Sequence, residues 1–323
     1  MRLDLLLLAG LLGRAAWRAR PAARVRRVLR FNRVVADLDR AEAFYRDALG
    51  FRRVGRGPAD TRVARLLGIA AAEGEEVVLQ LGAERLALLR FRQPPAPYPA
   101  KGRSDDPWFQ HLAVVVRDMG EAFEVLSSRA ARAISTGGLQ RLPPSNGSVT
   151  AFKFRDPDGH PLELIHFPPG QGRGVWQDRP GQSPFLGIDH TGLVTGSTAR
   201  SLAFYRRLGF LVVGRSRNSG PAQERLDGLE HPDLRISSLR PDNPDGPGLE
   251  LLDYRPPSRR AARLPANGVA TEWVTVAVRG LPHGTALGGG RRALALRDPD
   301  GHRLLLVDQG GEGATSPALG PTT

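Results

Sequence analysis

Two stretches of this chain repeat almost the same phrase, and this repetition limits the possible folds more than any other feature. Residues 154–167 read FRDPDGHPLELIHF, and residues 296–309 read LRDPDGHRLLLVDQ. The shared RDPDGH segment separates two strand-like runs, and its Asp and Gly residues suit a tight hairpin turn. The copies differ inside the second run, where Leu305 stands in place of Glu163. A fold for this chain must explain both the retained turn and the lost carboxylate.

A second phrase, typical of a helix with one apolar face, also occurs twice. AFYRDALGF covers residues 43–51 and AFYRRLGF covers residues 203–210, and each follows a short apolar strand. Each phrase ends in Leu-Gly, which is a common way to end a helix. The residues before the helices are cap-type residues, namely Asp37 or Asp39 in the first copy and Ser197 or Thr198 in the second. The pattern predicts a strand–helix unit in each half of the chain.

Two less complete copies of the unit occur elsewhere. Residues 108–126 read WFQHLAVVVRDMGEAFEVL, which predicts a strand and then a helix that begins near Asp118. Residues 271–280 read TEWVTVAVRG, which predicts a strand, but the following LPHGTALGGG is too rich in Gly for a helix. With the further strands in between, we expect four modules of a strand, a helix and two or three strands. The fourth module lacks its helix.

A stretch rich in Gly and Pro divides the modules into two pairs. The tail after Asp308 contains mainly Gly, Ser, Thr and Pro, a composition typical of disorder. The predicted organisation is a poorly ordered basic extension at 1–26, a first domain with modules one and two at 27–170, a linker at 171–184, a second domain with modules three and four at 185–309, and a disordered tail at 310–323.

Charge and composition exclude several classes of protein. The formal net charge is +13, but nearly all basic residues are Arg, and no basic block alternates with aromatic residues, which argues against a nucleic-acid-binding face. The chain has no cysteine, which excludes disulfides, thiolate metal sites and cysteine nucleophiles. The apolar stretch near the N-terminus is too short to span a membrane and is interrupted by Asp4. We predict a cytoplasmic protein, with an N-terminal export signal as the alternative.

The DPDGH-x-LEL and LAFYR-x-LGF phrases resemble the vicinal oxygen chelate superfamily. This superfamily includes glyoxalase I, extradiol dioxygenases, methylmalonyl-CoA epimerase and the bleomycin and fosfomycin resistance proteins. The resemblance covers the chain from about Val28 to Asp308. It implies an α+β fold with two tandem domains, each a pair of βαβββ modules whose curled mixed sheets form a cup around a metal.

The resemblance also implies where metal ligands should lie, because each module supplies them from the start of its first strand and from its last strand. These positions hold His111 and Glu163 in module two, and His190 and Glu250 in module three. Each histidine lies seven residues before the predicted helix cap. The matching residues of the outer modules are not ligands: Arg30 and Ala87 in module one, and Trp273 and Leu305 in module four, where a slip of one residue would give Glu272 instead. We therefore expect metal only between the inner modules.

Elementary physical chemistry supports the same positions. Glu163 and Glu250 each lie between two leucines, and a carboxylate inside an apolar strand costs several kcal/mol unless it is paired or bound to a metal. One histidine on a strand is usually a hydrogen-bonded core residue, and one glutamate there often faces water. Two of each at matched positions favour a metal. We interpret His160 and His302 as structural residues of the turns, and His166 as facing away from Glu163.

One arrangement makes the ligand set complete. If modules two and three share a cup, it contains His111, Glu163, His190 and Glu250, which resembles the set of bacterial glyoxalase I, and the linker should run outside it. We expect one divalent metal ion, with Ni, Co, Zn, Mn and Fe(II) all compatible. The resemblance implies a small-molecule substrate with vicinal oxygens and glyoxalase-like lyase or epimerase chemistry. The metal would stabilise an enediolate, and one of the two catalytic glutamates, Glu163 and Glu250, would move the proton.

Two other functions stay open on the sequence. The first is an extradiol-type ring-cleaving dioxygenase, for which the resemblance places the ligands in the second domain alone. The second is a metal-free drug-binding protein of the bleomycin-resistance type, which does not need the ligand set. The expected partner is a small molecule, without nucleic acid or membrane, and the expected state is a monomer or a homodimer.

Overall fold

The protein was studied as a computed structural model, which describes residues 23–69, 72–93, 95–129, 131–177, 181–243, 245–257, 264, 268–281 and 283–308. Module one consists of β1 Arg24–Val34, α1 Leu38–Leu49, β2 Arg52–Pro58, α2 Thr61–Leu66, β3 Gly74–Leu81 and β4 Glu84–Phe91. Module two consists of β5 Gln110–Val116, α3 Met119–Ser127, β6 Arg132–Ala133, β7 Gln140–Arg141, β8 Thr150–Arg155 and β9 Pro161–His166.

The second half of the chain repeats this order. Module three consists of β10 Phe185–Val194, α4 Thr198–Arg207, β11 Leu211–Asn218, α5 Pro221–Asp227, β12 Asp233–Arg240 and β13 Gly248–Arg255. Module four consists of β14 Glu272–Arg279, β15 Thr285–Gly288, β16 Arg291–Arg297 and β17 Arg303–Asp308. Among the described residues between β14 and β15 there is no helix, as the glycine content predicted. The α+β class is confirmed.

Two large sheets result, and each takes strands from both halves of the chain. The outer sheet has the order β15-β16-β17-β14-β1-β4-β3-β2 and joins module one to module four. The inner sheet has the order β11-β12-β13-β10-β5-β9-β8-β6, with β7 beside β8, and joins module two to module three. The modules meet through the antiparallel pairs β1–β14 and β5–β10. Modules two and three therefore share a sheet, as the ligand pattern required.

The three predicted helices begin where the sequence predicted, whereas the short helices α2 and α5 were not predicted. Asp37, Asp118 and Ser197 are the N-caps of α1, α3 and α4, and each side chain accepts a hydrogen bond from the backbone N–H three residues later. Gly50 ends α1 at φ 69°, in the left-handed region that favours glycine. The largest buried cluster contains residues of these helices and of both sheets, including Tyr45 and Tyr205. Helices α1, α3 and α4 therefore pack against one face of the sheets and leave the opposite faces for other contacts.

The AFYR helices form hydrogen bonds to the RDPDGH turns, which explains why both sequence repeats were retained. The Tyr45 hydroxyl donates to Asp156 Oδ2 at 2.9 Å, and the Tyr205 hydroxyl donates to Asp298 Oδ2 at 3.0 Å. The other oxygen of Asp156 accepts the backbone N–H of His160 at 2.9 Å, which closes the turn. Each AFYR helix is thus fixed to the RDPDGH turn of the next module. The interpretation of the turn as a folding element is supported.

The turn histidines contact backbone segments that are distant in sequence. His160 Nε2 lies 2.8 Å from the Val269 carbonyl oxygen, and its Nδ1 lies 2.8 Å from Asp156 Oδ2. His302 Nε2 lies 2.8 Å from the Val194 carbonyl oxygen. Both rings are buried in these contacts, in agreement with a structural role.

Two predicted boundary segments need correction. Strand β1 begins at Arg24, and the Val25 backbone N–H donates to the Leu208 carbonyl at 2.8 Å. The last three residues of the predicted extension 1–26 therefore belong to the outer sheet, because Val25 is buried in its core. Residues 1–22 and the predicted tail 310–323 lie outside the described residues. Within the described part of the chain, no helix is long and apolar enough to cross a membrane.

The predicted linker 171–184 is also more than a spacer. It contains a 3-10 turn at Gly174–Trp176, and Trp176 is buried. Arg173 lines the cavity of the inner sheet. The expectation that the linker runs outside the cup is therefore wrong for this part of it, because the Trp176 ring packs into an apolar cluster with Val115 and Leu186.

Candidate metal centre

The sheet register brings the four predicted ligands to one face of the inner sheet. In the parallel pair β5–β9, Ala113 lies opposite Glu163, two residues after His111. In the parallel pair β10–β13, Gly192 lies opposite Glu250, two residues after His190. Side chains two residues apart on a strand share a face. The same offset in both modules therefore places both His–Glu pairs on the concave side.

Three of the four side chains converge closely. His111 Nε2 lies 3.0 Å and His190 Nε2 lies 3.9 Å from Glu163 Oε2. One ligand atom from each of these three residues lies within 4.8 Å of the others. Metal–ligand bonds of ~2.0–2.2 Å put neighbouring ligand atoms about 3–4 Å apart. The spacing of this triad, His111, Glu163 and His190, therefore fits one ion.

The fourth predicted ligand lies beside the triad but outside it. Glu250 Oε2 is 3.3 Å from His190 Nε2, and Glu250 Oε1 accepts a hydrogen bond from the Ser238 hydroxyl at 2.9 Å. Its side chain is 21% exposed, compared with 8% for Glu163. The two glutamates therefore occupy different environments, although their sequence positions are equivalent.

The imidazole nitrogens have the character of free metal ligands. Among the described residues, His111 Nδ1 is buried without a hydrogen-bond partner. The buried Nε2 atoms of His111 and His190 lie 3.0 Å and 3.3 Å from carboxylate oxygens of Glu163 and Glu250, without the geometry of a hydrogen bond. A buried polar atom without a partner is unfavourable by about 1–3 kcal/mol, so such groups are rare unless a ligand satisfies them. Two imidazoles and a carboxylate suit divalent transition metals. The residues present therefore fit a metal.

A glycine makes room for one of the histidines. Gly192 lies opposite His111 across β5–β10, and a Cβ added at Gly192 would lie 2.2 Å from His111 Cε1. This separation is shorter than any real carbon contact, so the His111 ring can cross β10 only because position 192 has no side chain. The sequence reasoning missed this residue, although a glycine within an otherwise apolar strand is a signal of close approach.

Asp189 orients His190 and was also missed. Asp189 Oδ2 lies 3.0 Å from His190 Nδ1, so Nε2 is directed toward the triad. Its other oxygen accepts hydrogen bonds from Trp176 Nε1 at 2.8 Å and Arg173 Nε at 3.0 Å, and Arg240 lies at 3.2 Å. A carboxylate behind a histidine ligand is a common support of metal sites. The available signal was the Asp-His pair itself.

A buried lysine distinguishes the two glutamates. Lys153 lies directly opposite Glu163 across β8–β9, and its Nζ is 2.6 Å from Asp227 Oδ1. Burial opposes ionisation of Glu163, but Lys153 and the two histidines outweigh it and lower the Glu163 pKa to about 2. At the equivalent place, Glu250 lies opposite the neutral Ser238. Glu163 is thus held as an anion by a fixed cation.

The pKa values of the two histidines of the triad shift in opposite directions. Burial lowers the pKa of His111. Burial also acts to lower the pKa of His190, but Glu250 and Asp189 outweigh it and raise that pKa to about 9. The excess negative charge near His190 is what a cation in the site would neutralise.

The triad lies in a cavity of about 290 Å³ in the concave face of the inner sheet. The cavity wall is partly apolar, with Leu142, Val149, Ile165, Phe167, Leu234 and Ile236. Its polar wall includes Arg173, Asn218, Gln223 and Arg240. A cavity of this size, with a few converging polar groups, is typical of a small-molecule site. His166 is on the other face, where its Nδ1 lies 3.2 Å from the Val116 carbonyl oxygen.

Comparisons with known proteins agree with this architecture. The family model described as the Glyoxalase/Bleomycin resistance protein/Dioxygenase superfamily matches residues 27–164 and 187–306. The chain belongs to this superfamily. It shares 18% identity with glyoxalase I of Zea mays at a TM-score of 0.60, over 90% of this chain and 94% of the maize chain. No curated protein sequence matches it significantly.

A second solved structure of the superfamily has a similar arrangement. A protein of Bacillus subtilis that is provisionally assigned as a dioxygenase matches with a TM-score of 0.56 and 12% identity, over 89% of this chain and 86% of that chain. At these identities the likeness to both structures shows the fold of this superfamily member and nothing about its reaction. The recognition of the superfamily from the two repeated phrases is confirmed.

The outer sheet of this superfamily member has the equivalent cup, but the cup is filled. Asn32 lies opposite Ala87 in β1–β4, and Thr275 lies opposite Leu305 in β14–β17. The residues two positions earlier, which correspond to His111 and His190, are Arg30 and Trp273. The predicted position in module four is therefore confirmed as Trp273 rather than Glu272.

Buried groups replace the ligands there. Ala87, Trp273 and Leu305 belong to one apolar cluster, and Arg30 Nη2 is paired with Glu76 Oε2 at 2.8 Å. A cavity of only about 10 Å³ remains beside Arg30 and Trp273. Among the described residues, the triad is the only group of His, Asp and Glu side chains with metal-binding spacing.

Proposed function

We propose that the chain is a metal-dependent enzyme that acts on a small molecule with vicinal oxygens, by glyoxalase-like lyase or epimerase chemistry. One observation carries this proposal: two buried imidazoles, whose Nε2 atoms form no hydrogen bond among the described residues, converge with one carboxylate in a cavity of about 290 Å³. A protein that binds drugs without metal has no need for such a triad, and its unsatisfied nitrogens would be a pure cost.

His111, Glu163 and His190 would hold one divalent ion of Ni, Co, Zn, Mn or Fe(II). Such an ion acts as a Lewis acid that polarises two adjacent substrate oxygens and stabilises the negative charge that develops on them. Glu163 suits permanent ligation, because Lys153 keeps it ionised and both residues are buried. Asp189 fixes the ring of His190, so the ligand does not have to be reoriented when the ion binds.

Glu250 is the residue that we assign to proton transfer. It borders the cavity, lies outside the triad and is more exposed than Glu163. The Ser238 hydroxyl donates a hydrogen bond to Oε1. The other oxygen, Oε2, lies 3.3 Å from His190 Nε2 and would accept a proton from a substrate carbon and return it to a neighbouring one. A carboxylate in this position serves as general base and then as general acid.

The test begins with the metal content of the chain purified without chelators. We expect about one equivalent of a divalent ion. The loaded protein is then screened with hemithioacetals, acyl-CoA epimers and catechols. A chain that stays metal-free after incubation with all five ions would contradict the proposal and favour a binding protein.

A ring-cleaving dioxygenase of the extradiol type is the second candidate, because the triad contains two histidines and one carboxylate. This is the donor set that non-haem Fe(II) oxygenases use, with positions left open for substrate and O₂. The triad lies between the two halves of the chain, not in the second domain alone as the resemblance implied for this class. Ring cleavage of a catechol with Fe(II) and O₂, without turnover of hemithioacetals or epimers, would select this candidate. Apart from the corrected extension and linker, the domain boundaries stay predictions, as do the cytoplasmic location and the monomeric or dimeric state.

A further inference from the structure

The two copies of the RDPDGH phrase differ at a second position, the residue that follows the histidine. The first copy has Pro161 there and the second has Arg303. Arg303 begins β17 and lies directly opposite Arg297 of β16. Directly opposed residues share a face of the sheet, and like charges in this arrangement are destabilising. The fourth module thus brings together two cations where the second module has one.

Arg303 is buried without a counter-charge. It is only 8% exposed, and its Nε has no hydrogen-bond partner in the part of the chain that the structure describes. Burial, and then the charge of Arg297, lower the pKa of Arg303 to about 10, with no carboxylate acting against them. A buried charge without a partner is among the most unfavourable features that a fold can contain. It is tolerable when a ligand of opposite charge binds.

The two arginines line a cavity that is separate from the metal centre. The cavity has a volume of about 340 Å³ and lies between the start of β5, the start of β14 and the β16–β17 turn. Trp108, Leu264 and Ala270 form an apolar part of its wall. The volume exceeds that of a simple inorganic anion, so an organic anion with its charged end at the arginines fits this space.

The carboxylates of the same cavity are already engaged elsewhere. Glu272 Oε1 lies 3.4 Å from Arg33 Nε. Asp300 Oδ2 accepts the Thr195 hydroxyl at 2.7 Å and the Ser201 hydroxyl at 3.1 Å. Neither forms an ion pair with Arg297 or Arg303 among the described residues. Both cations are therefore left available to a ligand.

In the first RDPDGH turn, the equivalent arginine has hydrogen-bond partners within the protein. Arg155 occupies the place of Arg297, and its guanidinium donates to the Gly159 carbonyl at 2.8 Å and the Gly102 carbonyl at 2.7 Å. Its group also stacks on Tyr98 at 5.3 Å, and the residue opposite is Pro161. Within the described ranges, the hydrogen bond of Arg297 is a long contact of 3.4 Å with the Gly301 carbonyl.

We propose that Arg297 and Arg303 form a binding site for an oxyanion, the phosphate or carboxylate group of a small organic molecule, in the cavity at the β16–β17 turn. Guanidinium groups bind both kinds of oxyanion through paired hydrogen bonds. This site does not depend on the metal centre or on the proposed reaction.

Thermal unfolding of the full chain in a zwitterionic buffer tests the site, with inorganic phosphate, phenyl phosphate or succinate added at constant ionic strength. We expect a saturable rise in Tm for the natural chain with at least one of the three. A response to both phosphates alone assigns a phosphate group, and a response to succinate alone assigns a carboxylate. No response to any of them would overturn the proposal.

Arg303→Met removes the buried charge and keeps much of the volume. It should abolish the response to the anion and should unfold at the same or a higher temperature than the natural chain when no anion is present. A lower Tm in anion-free buffer would mean that Arg303 has a partner within the protein, and a retained response would mean that the anion binds elsewhere. Either result overturns the proposal.

Arg297→Gln, at an exposed residue, keeps the test decisive if Arg303→Met does not fold. Calorimetric titration with the responding anion should show at least about tenfold weaker binding to Arg297→Gln, as expected for the loss of a charge-assisted hydrogen bond. Arg141→Gln removes an exposed arginine of the inner sheet that does not line the cavity and should bind the anion as the natural chain does. Equal affinities of Arg297→Gln and Arg141→Gln would refute the site.

Discussion

Lys153 lies directly opposite Glu163 across the β8–β9 ladder, whereas the equivalent Glu250 lies opposite Ser238 across β12–β13. The pseudo-symmetry of modules two and three is therefore broken at the residue that controls each carboxylate. A fixed cation holds Glu163 as an anion, whereas the residue opposite Glu250 is a neutral serine. The fold repeats the module, but the two copies contribute different chemistry.

This asymmetry predicts different effects of two equivalent substitutions. Glu163→Gln should weaken metal binding by about 100-fold or more, beyond the range typical for residues that only support a ligand. Glu250→Gln should retain close to one metal equivalent and lose about 10²–10⁴ in kcat, the usual contribution of a general base. Metal content by mass spectrometry and kcat on the identified substrate separate the two. If Glu250→Gln loses the metal and Glu163→Gln keeps it, the roles are reversed.

Removal of the Asp189 carboxylate, which contacts His190, should weaken metal binding although Asp189 is not itself a proposed ligand. Asp189→Asn leaves the His190 ring less well oriented and less basic, so we expect a loss of about 10–100-fold in metal affinity. Asp233→Asn, which removes a partly exposed carboxylate paired with Arg217 on the same sheet, is the control and should bind metal normally. Competition with a chromophoric chelator measures both. Equal affinities of these two variants would show that Asp189 does not support the site.

The positions of the candidate ligands could be predicted from the resemblance to the superfamily, which implies ligands at the start of the first strand and on the last strand of each module. The helix caps at Asp118 and Ser197 then set the register of the first strands. The sheet register shows that this places His111 and His190 on the same face as their glutamates.

The rest of the site depends on contacts between distant segments. Lys153 forms an ion pair with Asp227 of the next module, and Asp189 is held by Arg173 and Trp176 of the predicted linker. The linker was misjudged because its Gly and Pro content indicates a flexible spacer, whereas its Trp176 is buried. The strand register predicts the face on which Glu250 lies, but it does not predict the position of the carboxylate relative to the triad.

Gly192→Ala should destroy the site by a steric effect alone. The added methyl group would lie 2.2 Å from His111 Cε1, so the ring must move away from the triad. We expect loss of stoichiometric metal binding, measured by mass spectrometry on the folded protein. Gly55→Ala is a matched control in a strand of the outer sheet, where the nearest atom to the new Cβ would be 3.8 Å away. A Gly192→Ala chain with full metal content would mean that the His111 ring is not a ligand.

Leu305→Glu should not create a second metal site. The new carboxylate would lie among Ala87, Trp273 and other apolar groups, while Arg30 is already paired with Glu76. A buried carboxylate without a partner costs about 3 kcal/mol or more, so the variant should unfold at a lower temperature and still bind one equivalent. In the Glu163→Gln background the expected content falls to nearly zero. Metal bound by that double variant would show that the outer cup is still competent.

The last prediction concerns the contact between the two repeated phrases. The Tyr45 hydroxyl accepts a hydrogen bond from Arg33 Nη1 at 2.7 Å and donates to Asp156 at 2.9 Å, so it connects a buried cation to a buried carboxylate. The Tyr205 hydroxyl donates to Asp298 at 3.0 Å and is the matched comparison. Tyr45→Phe should lower the free energy of unfolding by about 1–3 kcal/mol, the cost of a buried polar group without its partner. Tyr205→Phe should cost less, because one buried charged partner is affected instead of two. Denaturant titrations of both variants measure the difference, and a larger loss for Tyr205→Phe would show that the Arg33–Tyr45–Asp156 chain contributes no more than a single hydrogen bond.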